Sequence, residues 1–155
     1  MSVRKVILPL AVMASLSACS AFEPDYYNCD DRISSYAEGS RSSLEASITG
    51  QNVEARFNGV SARCYDNDGV TIMEVGIGLK ILRDLKDNVE VAPVNVPIAT
   101  ALLDGQDEVL SYETFSYDMQ FPDGVRVLYP LVRREFTLNL DGRVIMALTP
   151  EQLIP

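Results

Sequence analysis

The sequence predicts an all-β fold, an antiparallel β-sandwich of seven or eight strands, and three observations carry the prediction. Apolar and polar residues alternate with a period of two across 71–81 and again across 114–121. Turn chemistry recurs at short spacing, at Asn58-Gly59, Asp66-Asn67-Asp68-Gly69, Asp104-Gly105, Pro122-Asp123-Gly124 and Asp141-Gly142. No stretch of a dozen residues holds a convincing helical period. Period two places one set of side chains on a buried face, and Asn-Gly and Asp-Gly supply the positive φ of tight hairpins. Short strands separated by such turns pack as two layers.

The strands are expected near 44–49, 53–57, 60–66, 70–83, 95–103, 108–121, 125–140 and 143–148. The first begins where a stretch rich in Ser, Asp and Tyr, residues 20–42, gives way at Leu44. Asn58-Gly59 separates the second from the third, and the turn ending at Gly69 separates the third from the fourth. In the fourth, Thr71, Met73, Val75, Ile77, Leu79 and Ile81 alternate with positions that include Glu74, Gly76, Gly78 and Lys80. A helix through Leu79, Leu82 and Leu85 would carry Gly76 and Gly78 at about 1 kcal/mol each, so the strand is preferred. The run 96–103 is apolar on both faces, as a central strand requires, with Pro97 tolerable near its start. Phe115, Tyr117, Met119 and Phe121 mark the sixth strand, Pro130 must interrupt or edge the seventh, and the eighth follows Asp141-Gly142.

Ahead of this domain lies a different kind of segment. Arg4 and Lys5 precede an apolar run, 6–16, broken only by Pro9 and Ser15, which is a secretory signal too short to remain as a membrane span. The run Leu16-Ser17-Ala18-Cys19 resembles the lipobox of bacterial lipoproteins. That resemblance implies a Cys19 thiol alkylated by diacylglycerol, cleavage before Cys19, and acylation of the new amino group. Each buried methylene contributes ~0.8 kcal/mol and one chain binds only reversibly, so two or three chains make a lasting anchor. An ordinary secretory signal cleaved near Ala18 or Ala21 is the alternative. Ser20 stands where an inner-membrane retention signal would place Asp, which by that rule implies the periplasmic face of the outer membrane. The organisation expected is a signal at 1–18, a lipidated tether at 19–42 and a sandwich domain at 43–155, with the tether ordered only where Cys29 fastens it.

With Cys19 lipidated, two of the three cysteines remain, Cys29 and Cys64, in an oxidising compartment. They are expected to pair, closing a loop worth ~4 kcal/mol before strain. Two free buried thiols are the alternative, and no C-x-x-C is present to suggest redox chemistry.

Charge and composition narrow the function. The chain carries 22 acidic against 13 basic side chains, a net charge of −9, and losing Arg4 and Lys5 makes it more acidic still. Such a surface repels phosphate backbones, so no nucleic-acid partner is expected. There is no histidine, which removes Ser-His-Asp and Cys-His arrangements, His-bearing zinc sites and the usual general base. Lys80 and Lys86 are the only lysines after the signal, and neither lies in a Ser-Lys motif. Asp66-Asn67-Asp68-Gly69 fails as a calcium loop, because with Gly69 sixth, Cys64 falls where Asp is needed and Val75 where Glu is needed. The groups Asp84, Asp87, Glu90 and Asp104, Asp107, Glu108 read as solvated loop charges. The protein is therefore expected not to be an enzyme and to hold no metal or cofactor.

Contact residues are the remaining signal. Arg133-Arg134 is the only adjacent basic pair after the signal, and the glycine-free connection 84–95, with Lys86 and Asp87, is a candidate partner-facing loop. Tyr26, Tyr27, Tyr36, Tyr65, Tyr112 and Tyr129 are candidate contact or rim tyrosines; without Trp, a glycan platform would rest on Tyr alone.

Read in order, several short motifs resemble a family of small, mostly uncharacterised alphaproteobacterial outer-membrane lipoproteins. They are the lipobox, Cys29, Arg63-Cys64-Tyr65-Asp66 leading into a long strand, Val94-Asn95-Val96-Pro97 before a strand ending Leu103-Asp104, Val109-Leu110 with Phe115, Phe121-Pro122-Asp123-Gly124, and Leu148-Thr149-Pro150-Glu151-Gln152-Leu153. The resemblance implies an immunoglobulin-like or fibronectin-like sandwich and transfers no activity to any residue. The function expected is a structural or accessory role in the cell envelope through protein contacts, anchored by lipid and docking an envelope protein. A binding module for cell-wall glycan or a small envelope ligand is the alternative.

Overall fold

The computed structural model describes residues 23–37, 40–46, 51–84 and 93–148, with side chains left out at 43–46 and 51. Among them are ten strands: β1 Tyr27–Asn28, β2 Ile33–Ser35, β3 Arg41–Ala46, β4 Gln51–Asn67, β5 Val70–Arg83, β6 Pro93–Leu103, β7 Val109–Gln120, β8 Val127–Leu128, β9 Leu131–Leu138 and β10 Arg143–Ala147. A single 3₁₀ turn, Asp30–Arg32, separates β1 from β2. One sheet is built on β4 and β5, with β1 and β3 sharing the far edge of β4 while β8 and β9 share the far edge of β5. The other runs β2-β10-β6-β7. All pairs are antiparallel except β2, which runs parallel to β10.

The order β4-β5-β9 facing β7-β6-β10 makes a sandwich with the first, second and fifth of these six strands in one layer and the third, fourth and sixth in the other; the fourth lies in the layer opposite to the one it takes in an immunoglobulin constant domain. The N-terminal β2 occupies the place beside the sixth. The alternation in β5 builds the core: Met73, Val75, Ile77, Leu79 and Ile81 are all buried. Burying each such side chain contributes roughly 1.5–3 kcal/mol. From the opposite sheet Val96, Ile98, Val144 and Met146 join the same cluster, with Leu148 just past β10.

Three details differ from the sequence expectation, each for a physical reason. Asn58-Gly59 makes no hairpin, because β4 runs straight through it. The register passes from Phe57 opposite Leu79 to Val60 opposite Ile77, so Asn58 and Gly59 bulge against Gly78 alone. Gly59 has φ 115°, and the bulge switches the buried face from Val53 and Ala55 to Ala62 and Cys64. A Cβ on Gly78 would lie 3.0 Å from the Gly59 carbonyl oxygen, so the bulge requires a glycine across from it. The hairpin proper is at Asp68 and Gly69, with φ 47° and 87°, closing Asn67 onto Val70. The expected strand 125–140 is broken at Tyr129 and Pro130 into β8 and β9, and the Pro130 carbonyl accepts the Leu79 N–H at 3.0 Å. These two changes, with β1 and β2, give ten strands rather than seven or eight.

The third difference concerns the expected tether. Residues 27–35 belong to the sandwich, β1 pairing with β4 in one sheet and β2 with β10 in the other, and β3 already starts at Arg41. Cys29 and Cys64 are disulfide-bonded, with a Cα–Cα distance of 5.9 Å. Polar contacts reinforce that link. The Asp30 carboxylate accepts the Ala62 N–H at 2.6 Å, and Arg32 donates to the carbonyls of Gly142 and Asn139 at 2.8 and 3.0 Å.

Candidate functional site

Two surfaces stand out, and the sheet pleat explains both. On the outer face of the first sheet, Gly76 lies between Ser61 of β4 and Arg133 of β9, while Glu74 lies between Arg63 and Glu135. Because Gly76 has no side chain, the sheet is hollowed into an open trough of about 760 Å³ that Leu131 also lines. Its charges are largely spent on one another. Glu74 accepts the Tyr26 hydroxyl at 2.6 Å and the Arg63 Nε–H at 2.8 Å, and the Arg63 guanidinium lies 4.1 Å from the Tyr26 ring. The Tyr26 hydrogen bond, then Arg63, hold the Glu74 carboxyl below the usual carboxylate range, and the same bond to Glu74 raises Tyr26. A carboxylate held ionised by two donors is a structural acceptor, poorly suited to take up a proton near neutral pH.

The second surface is one flank of the sandwich. Here the edges of the two sheets lie side by side, since Arg134 of β9 reaches over the Phe115 ring of β7 at 4.4 Å. Beyond that contact the flank opens into a shallow groove lined by Tyr117 and Met119 of β7, Leu128 of β8, and Tyr129 and Pro130. Among the described residues β7 pairs only with β6, and β9 only with β5. Both therefore present unpaired edges. Tyr129 and Leu131 are 62% and 58% exposed, and Val109 and Leu110 are 53% exposed at the start of β7.

The structure sorts the sequence candidates sharply. Arg133 and Arg134, adjacent in the chain, point to opposite faces of β9: Arg133 lies on the outer face opposite Gly76, Arg134 on the core side over Phe115. Cys29 and Cys64 are paired and buried. Cys19, Lys86 and Asp87, with most of the 84–95 connection, lie outside the described residues. Tyr26, Tyr27 and Tyr65 belong to the fastening of the N-terminal segment, Tyr26 packing edge-on to Tyr65 at 5.3 Å and Tyr27 donating to Asp66 at 3.0 Å. Asp66 also accepts from Thr71, so this carboxylate organises the hairpin. Asp104 accepts the N–H groups of Gln106 and Glu108, and Asp107 pairs with Arg143 at 2.7 Å, which makes them loop-stabilising charges.

Sequence reasoning passed over two residues that matter. Glu74 was only a polar position in a strand, although its place opposite Arg63 follows once the Asp68-Gly69 hairpin is fixed. Arg83 is 6% exposed and donates to the carbonyls of Val125 and Pro122 at 2.8 and 3.0 Å while packing 4.7 Å from the Phe121 ring. Its position at the end of an apolar alternation, in phase with the buried face, was the available signal. No family model matches the chain, nor does any curated protein or solved structure.

Proposed function

We propose that this is a lipid-anchored periplasmic protein of the outer membrane, related to the small envelope lipoproteins it resembles, with an accessory role exerted through protein contacts and not through catalysis. The observation that carries the reading is the open flank: the unpaired edges of β7 and β9, a shallow groove between β7 and β8 beside them, and the exposed Tyr129 that lines it. Unpaired edges offer main-chain hydrogen bonds to an added strand, and exposed apolar side chains beside them add affinity. The lipobox at Cys19 supports the anchoring, and the absence of histidine supports a non-catalytic role. Lipid tethering would raise the local concentration of the domain at its partner.

The test combines a mass measurement with a flank variant. Mass spectrometry of the protein from membranes should show an acylated Cys19, and Tyr129→Arg, in the flank groove and outside the trough, should abolish crosslinks to envelope proteins without changing the melting temperature. Protein found wholly in the soluble periplasm, or crosslinks indifferent to the flank, would contradict the reading. The outer-face trough, with Arg63 and Arg133 beside an apolar wall, favours a second reading as a module for a glycan or small envelope ligand. Sedimentation with purified cell wall that is lost in Arg133→Ala would support that second reading over the first.

A further inference from the structure

We propose that the open flank binds a second copy of this chain, β7 of each copy adding to β9 of the other. The inference rests on reading the flank as a contact surface and names what occupies it.

Strand direction is the first argument. Arg83, at the end of β5, bonds to the carbonyls of Pro122 and Val125, just beyond the end of β7, so β5 and β7 run in the same sense. β9 is antiparallel to β5 and therefore opposite to β7. A two-fold axis lying in the flank and parallel to the strands then sets β7 antiparallel to β9 of the other copy, twice, and extends both sheets. Such an interface is self-complementary, as a closed dimer requires.

Charge supplies the second argument. The chain has a net charge of −9, and on β7 the only charged residues are Glu113 and Asp118. β9 carries Arg133 and Arg134. Phe115, Tyr117 and Met119 pack toward the core on β7, as Val132 and Phe136 do on β9, so faces match when Asp118 stands opposite Arg133. That register sets Tyr117 against Arg134, Met119 against Val132 and Ser116 against Glu135, with no like charges opposed. Pairing β7 with itself would bring acidic edge to acidic edge. β7 carries no Pro or Lys to guard its edge; its bulge at Leu110 lies outside the paired register, and its charges Glu113 and Asp118 would meet Leu138 and Arg133.

The test uses sedimentation of the full purified chain over a range of concentrations, with Asp118→Lys and Arg133→Asp as charge reversals at exposed positions. Wild type should dimerise reversibly, each variant should weaken the dimer at least tenfold with its melting temperature kept, and an equimolar mixture should restore it, because both contacts in the mixed dimer are again opposite in charge. A wild type that stays monomeric, or a mixture that fails to restore the dimer, overturns the proposal. An Arg133→Asp variant that dimerises normally also overturns it, pointing to β7 paired with β7. A monomeric wild type whose Tyr129→Arg variant still loses envelope crosslinks would remove the second copy and leave the contact surface standing.

Discussion

The two flanks of this sandwich are treated in opposite ways. On one, the edges of β4 and β10 are covered by the chain's own N-terminal segment, through β1, β3 and the parallel β2. That segment is held by the Cys29–Cys64 bond, by Asp30 on the Ala62 N–H, by Arg32 on two carbonyls and by Tyr26 on Glu74. There the short strands β1, β3 and β2 are outermost; on the other flank, among the described residues, the longer β7 and β9 end their sheets, and five large apolar or aromatic side chains, Val109, Leu110, Tyr112, Tyr129 and Leu131, are exposed on or near them. Edge strands are an aggregation hazard that proteins usually blunt. The proposed contact surface thus lies on the flank opposite the disulfide-held N-terminal segment.

The largest expected effect is on the closed flank. Replacing Cys29 and Cys64 by Ala opens a link between residues 35 apart and should cost about 4 kcal/mol, lowering the melting temperature by roughly 10 °C or more. Thiol counting on unfolded, unreduced protein should find neither cysteine free. Next is the end of the open flank, where Arg83→Met would strip the Val125 and Pro122 carbonyls of their donor and should cost about 2–3 kcal/mol in denaturant unfolding. Gly78→Ala, driven against the Gly59 and Asn58 carbonyls, should cost about 1–3 kcal/mol. Gly76→Ala meets only the Ser61 hydroxyl at 3.2 Å and a Leu131 methyl at 3.5 Å and should cost under about 1 kcal/mol, while filling the trough.

Acid should also distinguish the flanks. Asp30 is held low by the Ala62 N–H and then by Asn28, and Glu74 by Tyr26 and then Arg63. A carboxyl whose folded pKa is depressed adds stability above its unfolded value and loses it as pH falls through the folded one, so the closed flank should loosen below about pH 4. Amide exchange read by mass spectrometry should rise there at Cys29 and Ala62 before it rises in β5, and Glu74→Gln should reduce the pH dependence. The smallest effect on stability belongs to the open flank. Tyr129→Ser should shift unfolding by no more than about 0.5 kcal/mol while weakening contact in cells.

How much of this was legible depends on the range of the signal. The alternation of β5 and the apolar run of β6 are local patterns, and each strand appears where its residues place it. The bulge at Asn58-Gly59 was hidden because the dipeptide that makes a hairpin also makes a bulge; only the change of buried parity, Val53 and Ala55 against Ala62 and Cys64, separates the two. β1 and β2 show no period because two- and three-residue strands are too short to have one, and they are placed by the disulfide and by Asp30 and Arg32. The opposite orientation of Arg133 and Arg134 follows from period two, but which sheet edge they border is a property of topology, absent from any local window.

The two flanks can be compared side by side in the living envelope. A photo-crosslinking residue placed at Tyr129 on the open flank and, separately, at Tyr27 on the closed one reads each surface in otherwise intact protein. Discrete protein adducts are expected from position 129 and none from position 27. Adducts from position 27 alone, or none from position 129 in protein that is folded and membrane-bound, would contradict it.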